Sequence, residues 1–146
     1  KGLPFVGAAG HLLDRMLAAI GRDRTSAYIS NILFWRPPGN RNPTNEEIAL
    51  CLPFVQRHIA LVRPRVLVLV GGVAAKTLLS RSEGITRLRG KWYKYCPDDS
   101  GVPVDATAVF HPAFLLRKGH QKRETWQDLI SIRARLTDPK VFEEDK

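Results

Sequence analysis

The sequence predicts an α/β layered domain built around a largely parallel sheet. Three observations carry that prediction. Segments with strand and helix character alternate as β-α-β-α-β-α along the chain. The segment RVLVLVGG (65–72) is apolar almost throughout, the pattern of a strand covered on both faces. Two strand candidates end in residues that turn the chain into a helix, Gly71-Gly72 and His111-Pro112.

Taken in order, HLLDRMLAAI (11–20) places Leu12, Leu13, Met16, Leu17 and Ile20 on one helical face, and Gly21 supplies a stop. AYISNIL (27–33) has the β-branched and aromatic content of a strand. WRPPGNRNP (35–43), with its prolines and a Gly-Asn step, reads as a loop. Thr44-Asn45-Glu46-Glu47 has the pattern of a capping box and opens a helix. That helix is expected to turn Ile48, Cys51, Leu52, Val55, Ile59 and Val62 inward, and Pro64 closes it. After the strand at 65–72 comes the helix VAAKTLL (73–79), then a basic, aromatic, turn-rich stretch (81–101) with one or two short strands. VDATAVF (104–110) is another strand. A helix follows near 113–118, and KRETWQDLISIRARL (122–136) is a last one, with Trp126, Leu129, Ile130, Ile132 and Leu136 apolar. One domain over 1–136 and a frayed tail over 137–146 are expected.

The chain has 146 residues, enough for one sizeable core. No apolar run reaches the length of a membrane span, and the first residues, KGLPFVG, lack a signal-peptide layout. Two cysteines are too few for a disulfide scaffold, so a reducing, cytoplasmic setting is expected. Lys and Arg number 23 against 14 Asp and Glu, a formal net charge of +9. A pI near 10.1 points to polyanions, nucleic acid first. The cations gather in RLRGKWYK (87–94) and LLRKGHQKR (115–123).

Ligands of parallel α/β sheets bind beyond the carboxyl ends of the strands. Three places fall there: Asn31, Gly71-Gly72 and His111. An unsatisfied buried amide costs about 1–3 kcal/mol, so Asn31 inside an apolar strand needs a partner, internal or bound. Gly71-Gly72 is either a tight turn or a phosphate cradle; GGVAAK matches neither a P-loop nor a dinucleotide fingerprint. His111 is either a structural histidine or a functional group at a strand end. His11, His58 and His120 make no metal-ligand spacing.

Taken together, KGLPFVGAAGHLLDRMLAAI, YISNILFWRPPGNRNPTNEEIALCLPF, RPRVLVLVGGVAAKTLL, ITRLRGKW and VFHPAFLLR resemble the family-4 uracil-DNA glycosylases, in order, from Lys1 to about Leu136. The resemblance implies a three-layer αβα sandwich with a central, mainly parallel four-stranded sheet. It implies a repair hydrolase that flips uracil out of DNA and cleaves its N-glycosidic bond. The alternative is a non-catalytic DNA binder of the same fold. On the family pattern, Phe5 stacks on the flipped base and Asn31 reads the N3–H and O4 edge of uracil. His111 hydrogen-bonds uracil O2. Leu115 or Leu116 fills the gap left in the duplex, with Arg117 beside it. Arg87, Arg89 and Lys91 are expected phosphate contacts.

The family's first active-site motif, a Gly-Glu-Ala-Pro-Gly-like segment, lies before the point where this sequence begins. The chain as given, a fragment or part of a longer product, is therefore expected to be one strand and one active-site loop short, with weak or no catalysis. Family members commonly hold a [4Fe–4S] cluster on four cysteines. Cys51 matches the last ligand, while Trp35 occupies the position of the third. No cofactor is therefore expected; a cluster with an unusual ligand set is the alternative. Uracil-containing DNA is the expected partner, with the protein acting as a nucleoid-associated monomer.

Overall fold

A computed structural model describes residues 7–29, 44–97 and 103–137. Helix α1 (Gly7–Ala19) is followed by α2 (Asn45–Val62), strand β1 (Val66–Val70), α3 (Gly72–Leu79), the single turn α4 (Ile85–Leu88), β2 (Trp92–Tyr95) and β3 (Val104–Val109). Then come α5 (Pro112–Arg117), a 3-10 turn (Gly119–Gln121) and α6 (Lys122–Thr137).

Among the described residues the sheet has three strands in the order β1-β3-β2. β1 runs parallel to β3, with Val66 opposite Asp105 and Val70 opposite Val109. β2 runs antiparallel to β3, with Trp92 opposite Thr107 and Tyr95 opposite Val104. The sheet is thus mixed, where a mainly parallel one was expected. The link from β2 to β3 is short, and a parallel crossover needs a dozen residues or more, so direct succession favours the antiparallel pairing. The fourth predicted strand, 27–33, lies largely outside the described residues; its first three, 27–29, have no regular structure.

The layering follows from the period of two along each strand. Leu67 and Leu69 of β1, Tyr93 and Tyr95 of β2, and Ala106 and Ala108 of β3 share one face with Val55 and Ile59 of α2 and Ala75 and Leu78 of α3. Val66, Val68 and Val70, Trp92 and Val109 take the other face, against Met16 of α1, Leu115 of α5, and Leu129 and Ile132 of α6. Helices therefore cover both faces, giving the expected three layers. Every residue of β3 is buried, as a central strand requires. Its alanines are fully buried and small enough to let the α2/α3 layer approach closely.

Two helices depart from the periodicity reading. In α2 the capping box forms: Thr44 Oγ1 accepts from the Glu47 N–H at 3.1 Å, and Glu47 Oε1 accepts from the Thr44 N–H at 2.9 Å. Cys51, Val55 and Ile59 are buried as expected, but Val62, the last residue of the helix, is exposed. In α6 the apolar pattern misleads more. Trp126 and Ile130 are 58% and 55% exposed, while Thr125 and Asp128 are buried. Beside Leu129 and Ile132, the helix docks through polar groups: Asp128 to Arg89, Ser131 Oγ to Trp92 Nε1 at 3.0 Å, and Arg135 to Asp105 at 3.0 Å. Arg135 also lies 4.2 Å over the Trp92 ring. Buried Asp105 takes a second cation, Lys94, from the neighbouring strand.

Candidate active site

The parallel pair β1 and β3 ends in register at Val70 and Val109, so Gly71 and His111 emerge on the same edge of the sheet. A cavity of about 290 Å³ opens there, lined by Val70, Gly71, Ile85, Phe110, His111, Phe114 and Arg117 among others. This is the carboxyl-end position from which parallel sheets serve ligands. A larger cavity of about 530 Å³, around Arg81, Tyr93, Tyr95 and Cys96, contains none of the predicted site residues.

His111 is the residue before α5, and the chain uses it as the helix cap. Its Nδ1 accepts from the Ala113 N–H at 3.0 Å, while its carbonyl accepts from Phe114 and Leu115. Pro112 fits the first helical position, where no N–H is needed. A nitrogen that accepts carries no proton, so the neutral imidazole bears its hydrogen on Nε2. Burial pushes the His111 pKa below its ordinary 6.5, and the nearby Arg117 cation pushes the same way. The protein therefore holds His111 neutral, with Nε2–H as a hydrogen-bond donor. Phe110 and Phe114 stack with centroids 4.8 Å apart and brace the first turn of α5.

The predicted DNA contacts separate by burial. Leu115 is only 1% exposed and belongs to the core under α1 and α6, so it cannot reach a duplex; Leu116, at 51%, points outward. Pro112 and Leu115, three positions apart on one helical face, are the buried residues of α5, and the next residue faces away. Arg87, Lys91 and Arg117 are exposed. Arg89 is not a free cation. Its Nε and Nη2 grip both oxygens of buried Asp128 at 2.9 and 2.8 Å, and its guanidinium lies 5.8 Å over Phe110. Asp128 holds the Arg89 pKa above its usual value. Its part is to lock α6 to the sheet beside the cavity, which corrects its expected role as a phosphate contact. Phe5, Asn31 and Trp35 lie outside the described residues.

The residues in hand do not fit a four-thiolate cluster. The chain has two cysteines: Cys51, buried in α2, and Cys96, exposed just after β2. Among the described residues, no three of His, Cys, Asp and Glu gather into a metal-binding group. No described helix is long and apolar enough to cross a membrane.

Sequence reasoning placed His111 but missed what holds it. Gly71 is legible in the sequence only as a turn or a cradle directly after an apolar strand.

Comparison with known proteins agrees with this geometry. The profile of the uracil DNA glycosylase superfamily matches residues 1–130. The type-4 uracil-DNA glycosylase of Archaeoglobus fulgidus is 40% identical over 136 residues, covering 90% of this chain and 67% of that protein. Those of Pyrobaculum aerophilum and Sulfurisphaera tokodaii are 38% and 34% identical, over 88% and 97% of this chain and 66% of each relative. The chain thus spans about two thirds of the length of the curated relatives it matches. With a profile match over most of its length and relatives at this identity, the chain belongs to the uracil DNA glycosylase superfamily.

Proposed function

We propose that this chain is the catalytic domain of a DNA-repair glycosylase that excises uracil by hydrolysing its N-glycosidic bond. The observation that carries the reading is His111, whose Nδ1 accepts from the Ala113 N–H and which lines the cavity at the carboxyl ends of the parallel strands. The type-4 uracil-DNA glycosylases to which the chain is similar give that histidine a substrate.

As the C1′–N1 bond breaks, its electrons pass to the base and negative charge gathers on uracil O2. Water adds to C1′, and a proton neutralises the departing uracil. A fixed N–H aimed at O2 is stronger in that transition state than in the ground state, and one such donor is worth about 10²–10³ in rate. A neutral imidazole serves better than a cation here, since protonation of Nδ1 would break the bond to Ala113 that orients the ring.

Asn31 is assigned the choice of base. Its carboxamide accepts from uracil N3–H and donates to O4; cytosine presents the reverse pattern. A site left with unpaired buried polar groups discriminates by roughly 10⁴-fold. Phe5 is assigned the stacking surface, and exposed Leu116 with Arg117 the approach to the duplex gap. Exposed Arg87 and Lys91 are assigned phosphates, consistent with the net charge of +9. No step is routed through an iron–sulfur cluster, and the protein works as a monomer on uracil-containing DNA.

Excision from a uracil-containing oligonucleotide, by protein that carries the upstream segment, tests this reading. Asn31→Ala and His111→Ala should each lose about 10²-fold or more of the single-turnover rate. Retained binding of uracil-DNA by wild type without base release would instead establish a non-catalytic DNA binder. Wild-type rates in Asn31→Ala would refute the assignment of the base-reading residue.

A further inference from the structure

We infer that Gly71 is a positioning residue for the His111 imidazole, an inference resting on His111 as the donor to the departing base. The ring is held from two opposite edges. On one edge Nδ1 takes the Ala113 N–H at 3.0 Å. On the other, the turn between β1 and α3 approaches so closely that a β-carbon on Gly71 would stand 3.2 Å from His111 Cβ. It would also stand 3.4 Å from Cδ2 and 3.6 Å from Cγ.

Gly71 lies at φ 92° and ψ 169°, a backbone region essentially reserved for glycine. Its N–H donates to the Val109 carbonyl at 2.9 Å, which ties the turn to the strand two residues before His111. The adjacent Gly72 is different. A β-carbon there would meet only Ile85 Cβ at 3.8 Å, an ordinary contact. Of the two consecutive glycines, the site requires only the first.

The two constraints divide the work. Turning the ring by half a revolution about Cβ–Cγ would put Cδ2 where Nδ1 now accepts, and the Ala113 hydrogen bond would be lost. On the Cδ2 side the space the ring occupies exists only because residue 71 carries no β-carbon. What remains is one rotamer and one tautomer, with Nε2–H aimed in a fixed direction. A side chain at 71 would displace the ring and free both choices.

The test uses Gly71→Ala, His111→Ala and a control, Gly21→Ala. Gly21 also has a positive φ, 75°, but a β-carbon there meets nothing within 4 Å. Gly71→Ala is expected to lower single-turnover uracil excision by about 10²-fold, the loss that a misplacement near 1 Å produces. Gly21→Ala should stay within about threefold of wild type. The ¹⁵N resonances of His111 should report the Nε2–H tautomer in wild type and Gly21→Ala, and a tautomer mixture in Gly71→Ala.

A Gly71→Ala protein with wild-type His111 resonances and wild-type excision overturns the inference. If His111→Ala excises like wild type, the donor reading itself has failed. If His111→Ala is inactive while Gly71→Ala matches Gly21→Ala, only the positioning role has failed. Should Gly71→Ala not fold, the wild-type protein decides. A nuclear Overhauser contact between Gly71 Hα and His111 Hδ2 with a single tautomer supports the inference, and the absence of that contact overturns it.

Discussion

Removing the cation that faces Asp128 should be among the most damaging single changes outside the active site. Asp128 is 3% exposed on α6, and both its oxygens are taken by Arg89 at 2.8 and 2.9 Å. Arg89→Met keeps most of the apolar stem but leaves a buried carboxylate without its partner. Breaking a buried pair in this way costs about 3–5 kcal/mol. Arg89 keeps some contact with water, its side chain 21% exposed, which puts the expected loss near the lower end, about 3 kcal/mol. For a chain of this size that corresponds to a fall in Tm of roughly 6–12 °C. Urea denaturation of Arg89→Met, Asp128→Leu and the double variant forms a thermodynamic cycle. The double variant should recover most of the loss, since a buried pair replaced by apolar groups of similar volume is often nearly neutral. If Arg89→Met lost less than about 1 kcal/mol, the value of an exposed pair, the burial argument would be wrong. A double variant whose loss equals the sum of the two single losses would show that the two side chains are not coupled.

Three further outcomes are expected. His111 has its pKa lowered by burial, so below 6.5 the unfolded chain binds more protons than the native one. Its contribution to stability should be complete above that value and fall as pH drops through it. Urea midpoints between about pH 5 and pH 7.5 should show a slope that His111→Asn removes, because asparagine caps α5 without titrating. Thr44→Ala deletes a capping-box bond at 3.1 Å and should cost about 1 kcal/mol by thermal denaturation, with excision at the permissive temperature unchanged. Leu115→Ala should cost about 2–5 kcal/mol of stability, whereas Leu116→Ala should leave stability within about 0.5 kcal/mol and weaken binding to uracil-containing duplex.

Elements whose signals are local were legible in the sequence. The capping box at Thr44, the apolar run of β1 and the strand–His-Pro–helix succession each rest on residues a few positions apart, and the structure reproduces them. Strand direction was not legible. The direction of β2 depends on which strand it meets, and nothing within Trp92–Tyr95 records that. The apolar residues of α6 mark its buried face only in part: Leu129 and Ile132 are interior, Trp126 and Ile130 are not, and charges complete the seating. Asp128 qualifies as interior only because Arg89 stands 39 positions earlier. The same holds at the candidate site. His111 was marked by its place at a strand end. Gly71 acquires its meaning only from an imidazole that the fold brings back against it, and burial alone tells Leu115 from Leu116.

The order β1-β3-β2 also bears on how the protein is made. Among the described residues β1 and β2 do not pair with each other, and both pair with β3, which is synthesised after them. Val70 pairs with Val109, 39 residues later. At about 5–20 residues per second, the segment VLVLV leaves the ribosome roughly 2–8 s before β3 is complete. Such a segment, uncharged and rich in β-branched residues, is the kind that pairs with other chains when left open. Aggregation during synthesis should therefore track the time between these two strands rather than the stability of the finished domain.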